Sequence, residues 1–134
     1  MPLVVDTSAI LALACVDEDA AYAEAVIARV AGDGAVVPTL FWFEIRNALL
    51  MGERRGRIVA EQTRAFLADL ALLPFEVDDE ADEAGVLDLA RRCRLTIYDA
   101  AYLELARRRR LALATIDEAL IRAAKEAGVE VFRV

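Results

Sequence analysis

The chain has 134 residues, of which 58% are hydrophobic and 29% charged, with a net charge of −7 and no histidine. That length suits a single domain spanning residues 1–134 with a sizeable core, and the charge is too dense for a membrane protein. Without histidine there is no Ser-His-Asp triad, no Cys-His dyad, no histidine general base and no HExxH zinc site, so any catalysis falls to carboxylates, hydroxyls, arginines or the one lysine, Lys125.

In chain order, Leu3-Val4-Val5 predicts a short buried strand, and residues 8–15 and 18–30 read as helices. Gly32-Asp33-Gly34 is a turn, and Ala35-Val36-Val37 is a second strand closed by Pro38. Thr39 is placed to cap a helix running to about Arg54, with Gly56 as its stop. Residues 58–72 read as helix, and Pro74-Phe75-Glu76-Val77 as an edge strand, because proline suits edges. Residues 79–92 are helical again. Leu95-Thr96-Ile97 forms an apolar approach to a helix over 99–109. Residues 111–115 predict a strand and 117–127 a helix stopped by Gly128, with a last strand over 129–134.

Strands alternating with helices predict an α/β fold: a three-layer α/β/α sandwich around a central parallel sheet. Such sheets bind ligands outside the carboxyl ends of their strands. Asp6 and Asp117 each follow a strand, and Thr39 starts the Glu44 helix at that same edge.

The longest charge-free runs, residues 7–16 and 34–43, fall well short of the ~20 residues of a membrane helix. No basic residue precedes the first apolar run, so a cleaved secretory signal is not expected. Cys15 and Cys93 form no CxxC and read as buried reduced thiols, consistent with a cytoplasmic protein.

Asp6, Asp99 and Asp117 all sit where a carboxylate can cap a helix, and capping is one reading of each. Glu44 differs. Its helical neighbours are Leu40, Phe41, Asn47 and Ala48, and a desolvated carboxylate there needs a cation or strong donors. Arg46 does not share that face, whereas Asn47 does and is placed to orient the carboxylate. Several carboxylates meeting at one sheet edge repel each other unless a divalent cation joins them. An all-oxygen site suits Mg²⁺ or Mn²⁺, not zinc, and such sites most often handle phosphate. Thr7, Ser8 and Thr115 serve either as structural caps or as supporting hydroxyls.

Arg107 to Arg110 closes a helix, where positive charge complements the dipole or forms a phosphate-contacting rim. Arg54, Arg55 and Arg57 carry the same two readings. Phe41-Trp42-Phe43 diverge by ~100° per residue, so at least one must meet another element, subunit or partner.

The stretch Val4-Val5-Asp6-Thr7-Ser8-Ala9 resembles the opening of PIN-domain ribonucleases. Val37-Pro38-Thr39-Leu40 leading to Glu44, Asn47, Ala48 and Leu49 resembles their second motif. The segments 95–106 and 113–120, carrying Tyr98-Asp99-Ala100-Ala101-Tyr102 and Ala114-Thr115-Ile116-Asp117, resemble the third and fourth. The ordered set spans nearly the whole chain and looks most like the VapC toxins of bacterial toxin–antitoxin pairs.

The resemblance implies a Mg²⁺- or Mn²⁺-dependent endoribonuclease with Asp6, Glu44, Asp99 and Asp117 as its acidic quartet. Asp6 and Asp99 would be the most direct metal ligands, with Glu44 and Asp117 direct or water-mediated. Ser8 and Thr115 would support the site and Asn47 would orient its centre. Arg54, Arg55, Arg107 and Arg108 are the candidate RNA contacts. A homodimer and a cognate antitoxin are the implied partners beside RNA, and no membrane. A glycine commonly precedes the third motif, and Cys93-Arg94 stands there in this chain. The competing reading is a catalytically inactive PIN-like module that binds RNA or protein. A phosphoacceptor or Asp-x-Asp phosphatase fits poorly, because Asp6 is the only acid at the first strand and Ser8 occupies the second acid position.

Overall fold

A computed structural model describes residues 1–15 and 19–134. Its frame is a parallel sheet of four short strands: β1 (Leu3–Val5), β2 (Ala35–Pro38), β3 (Phe75–Asp78) and β4 (Leu113–Ala114). The strand order is β3-β2-β1-β4. Leu3 pairs with Ala35, Val5 with Ala114, and Ala35 with Phe75, all in parallel register. Every residue of β1, β2 and β4 is buried. Successive strand residues point to opposite faces, so helices cover both sides of the sheet, as the β/α alternation predicts. β3 is partly exposed and lies at the edge, where Pro74 precedes it.

The helices are α1 (Ala20–Asp33), α2 (Phe41–Arg54), α3 (Ala60–Leu70), α4 (Glu83–Cys93), α5 (Ile97–Arg109) and α6 (Glu118–Glu126). α5 is buried at every position from Ala100 to Ala106. It packs against β1, β2, β4, α4 and α6, and Ala100, Ala101 and Ala106 let it approach these neighbours closely. A helix buried over two turns has little freedom to shift, and Asp99 stands immediately before that stretch, after the exposed Ile97 and Tyr98.

Several boundaries differ from expectation. Residues 8–15 form two 3₁₀ turns, Thr7–Ala9 and Leu11–Leu13, in place of an α-helix. Their bonds run from Ala9 to Asp6 and from Leu13 to Ile10, the i→i+3 pattern of a tight turn. The expected start of the next helix at Glu18 lies outside the described residues. Thr39 does not cap α2, which has Leu40 at its N-cap and no side-chain bond there. Asp82, not Asp79, opens α4 and accepts from the Gly85 amide. The expected last strand reduces to one parallel bridge between Leu113 and Val131.

Gly56 and Gly128 follow α2 and α6 with φ of 71° and 73°, the left-handed stops expected of glycine. After α4 the same conformation falls on Arg94, with φ 55° and ψ 46°. Cys15 and Cys93 are free. Among the described residues, no helix is long and apolar enough to cross a membrane.

Candidate active site

Asp6 follows β1 directly and is 6% exposed. Ser8 Oγ donates to Asp6 Oδ2 at 2.6 Å and Thr115 Oγ1 donates to the same oxygen at 2.8 Å. Asp6 stands at the start of a 3₁₀ turn, yet its side chain makes no capping bond. The two hydroxyls also accept: Ser8 Oγ from the Ile116 amide at 3.2 Å and Thr115 Oγ1 from the Asp117 amide at 3.1 Å. They therefore tie the segment after β1 to the segment after β4 and hold Asp6 between them.

Asp117 does cap: its Oδ1 accepts from the Leu120 amide at 2.9 Å and opens α6. Asp99 does not. Thr96 caps α5 by accepting from the Asp99 amide at 3.1 Å, which leaves the half-buried Asp99 carboxylate free of that task. The single capping reading thus divides, true for Asp117 and untrue for Asp6 and Asp99.

Glu44 lies in the first turn of α2, half-buried. Its donor is the hydroxyl of Tyr102, 2.6 Å from Oε1. Tyr102 is fully buried, and Thr7 Oγ1 stands 3.4 Å from the same hydroxyl. Asn47 is exposed and, among the described residues, makes no hydrogen bond to Glu44. The sequence indicates that Glu44 needs a cation or strong donors, and the donor in the structure is Tyr102 of another helix. Tyr102 carried a usable signal, because it lies three residues from Asp99 and so shares its helix face.

Burial pushes the Asp6, Glu44 and Asp99 carboxyls above their ordinary range. Ser8 and Thr115 pull Asp6 back down, and the charge of Asp117 raises it. Tyr102 lowers Glu44, while Asp6 and Asp99 raise it. Asp117 and Asp6 raise Asp99. Glu44 and Asp99 feel Asp6, and Asp6 and Asp99 feel Asp117, so all four acids share one negative field. None of them forms an ion pair with arginine or lysine among the described residues.

Among the described residues, no three acids stand in a ready-made metal cluster. The donor set nonetheless fits a hard divalent cation, being all oxygen, sheltered, mutually repelling and, among the described residues, without protein counter-charge.

The arginines lie at the far ends of their helices. Arg54 and Arg55 are exposed at the end of α2, ~15 Å of helix rise beyond Glu44. Arg107 is half-buried in the last turn of α5, ~12 Å of rise beyond Asp99. Arg108 is drawn inward, bonding Asp78 at 2.9 and 3.1 Å and Glu104 at 2.7 Å. Arg109 reaches Glu76 and Asp78 from the same helix end.

The family model of the PIN domain matches residues 3–126. The chain belongs to the PIN-domain family. A solved structure of similar shape, PAE2754 from Pyrobaculum aerophilum, is 28% identical with a TM-score of 0.72, over 92% of this chain and 84% of that one. No curated protein sequence matches. PIN domains are generally nucleases that bind nucleic acid and typically use divalent metals.

Proposed function

We propose that this PIN domain is a Mg²⁺- or Mn²⁺-dependent endoribonuclease and the toxin component of a toxin–antitoxin pair. The observation that carries the nuclease reading is the acidic edge itself: four carboxylates in one field, with no cationic side chain paired to them among the described residues. Asp6 and Asp99 are the direct ligands in this reading, with Glu44 and Asp117 direct or through water. A bound divalent cation supplies an activated water and steadies the leaving oxygen of a phosphodiester.

The protein's own part is positional. Ser8 and Thr115 aim Asp6, and the Asp117 cap holds that carboxylate at the start of α6. The opening of α5 delivers Asp99 one residue before the buried stretch of that helix. Exposed Arg54 and Arg55, with Arg107, offer phosphate contacts along a longer RNA, which position the backbone without reading sequence. Arg108 is the weakest of the four candidates, since Asp78 and Glu104 already occupy its guanidinium.

The toxin role rests on the resemblance of the four motifs to VapC proteins. Trp42 and Phe43, 56% and 71% exposed on α2, fit a surface covered by an antitoxin or a second copy of the chain. A cytoplasmic, single-domain homodimer completes the proposal. The test is incubation of purified protein with total cellular RNA, with Mg²⁺ or with EDTA, followed by mapping of the new ends. Discrete internal ends that need the metal support the proposal. RNA binding without cleavage, indifferent to EDTA, would mark an inactive binding module.

A further inference from the structure

We infer that Tyr102 is a positioning residue, whose hydroxyl fixes the Glu44 carboxylate in the arrangement that receives a divalent cation; this rests on the nuclease reading of the acidic edge.

Tyr102 is wholly buried in α5, yet its hydroxyl reaches the site and donates to Glu44 Oε1 at 2.6 Å. A buried tyrosine hydroxyl usually finds a partner. Here the partner is one of the four acids. The bond is short, as expected when a hydroxyl donates to a carboxylate.

Proton counting sets the direction of the whole chain. A tyrosine hydroxyl carries one proton, and the bond to ionised Glu44 uses it. The 3.4 Å contact with Thr7 Oγ1 therefore has Thr7 donating to the tyrosine oxygen. Thr7 follows Asp6, Glu44 opens α2 and Tyr102 follows Asp99 on α5. One relay, Thr7 to Tyr102 to Glu44, thus links three of the segments that carry the acids.

A glutamate in a first helical turn has three side-chain torsions to lose when it binds a cation. The hydroxyl restricts them in advance and occupies only Oε1, leaving Oε2 for the cation or its water. Asn47, the neighbour on the same helix, makes no such bond among the described residues.

The experiment is calorimetric titration of Mn²⁺ into wild type, Tyr102→Phe, Glu44→Gln and the double variant, with Asp6→Ala as the control for the site. Tyr102→Phe should bind Mn²⁺ ~10-fold more weakly than wild type, a typical loss when a group orienting a ligand is removed. In the Glu44→Gln background, the same substitution should change Mn²⁺ affinity little, because its target is gone. Equal affinity of Tyr102→Phe and wild type, or equal losses in both backgrounds, overturns the inference. If Tyr102→Phe unfolds by circular dichroism while the double variant folds, the hydroxyl acts through Glu44 and the inference stands. If both unfold, the hydroxyl serves the core and the inference fails. Failure of the nuclease reading looks different: wild type then binds no Mn²⁺, or Asp6→Ala binds it as wild type does.

Discussion

Thr115 Oγ1 donates to Asp6 Oδ2 at 2.8 Å, joining the residues that follow β4 and β1. In the strand order β3-β2-β1-β4, the chain winds outward from β1 in one direction and reaches β4 in the other. β1 and β4 therefore flank the point where connections diverge, the place where open parallel sheets hold ligands. Asp6, nearly buried, is held there by two hydroxyls and by no cationic side chain among the described residues.

An acid kept this way costs stability when no metal is bound. Asp6→Asn preserves an oxygen for Ser8 and Thr115 while removing a buried charge. It should raise metal-free stability by about 1–2 kcal/mol and abolish metal-dependent cleavage. Urea denaturation in EDTA, alongside RNA cleavage, checks both halves. Thr115→Val should do the opposite to stability, costing about 1–2 kcal/mol, because Asp6 loses a donor and the Asp117 amide loses its acceptor.

The pH dependence follows from the same carboxyls. Asp6, Glu44 and Asp99 are raised above their ordinary values of 3.8, 4.5 and 3.8. In that window the folded protein binds more protons than the unfolded chain, so their contribution to stability falls as pH rises. Thermal melts in EDTA should show this decline from about pH 4 upward. Mg²⁺ should restore stability, and its gain should be larger at pH 7.5 than at pH 5, because protons compete with the metal. A Mg²⁺ effect independent of pH would contradict the shared acidic field.

The sequence made the parallel β/α order legible because short runs such as Val4-Val5 and Val36-Val37 are apolar at every position, the mark of a sheet buried on both faces. It also singled out four acids that the fold brings into one field. It did not separate their local roles, since a carboxylate before a helix looks alike whether it caps or not. Thr96 took the capping task from Asp99, and two hydroxyls took Asp6 from its turn. The donor to Glu44 came from another helix, a tertiary contact that helical spacing around Glu44 cannot reveal. Residues 8–15 read as one helix, whereas the chain forms two 3₁₀ turns over Thr7–Ala9 and Leu11–Leu13, because the apolar pattern is compatible with either geometry.

The departure from glycine before the third motif carries a backbone cost. Arg94 adopts φ 55°, a conformation that disfavours side chains with a Cβ. Arg94→Gly should stabilise the protein by about 1 kcal/mol and leave cleavage intact, as equilibrium denaturation and an activity assay would show. A destabilised variant would indicate that the Arg94 side chain supports the turn.

The network at the other end of α5 is structural. Arg108 and Arg109 hold the Asp78 carboxyl down at about 2. A depressed carboxylate stabilises the fold above its ordinary 3.8 and loses that contribution as pH falls through about 2. Asp78→Ala should cost about 2 kcal/mol at neutral pH, and the difference from wild type should shrink in melts taken below pH 3.

The most direct test of the acidic edge is cleavage of one defined RNA by wild type, Asp6→Asn and Asp99→Asn in Mg²⁺ or Mn²⁺. Wild type should cut internally and stop in EDTA, and each variant should lose about 100-fold or more while remaining folded. Cleavage that survives in both variants, or in EDTA, would contradict the account.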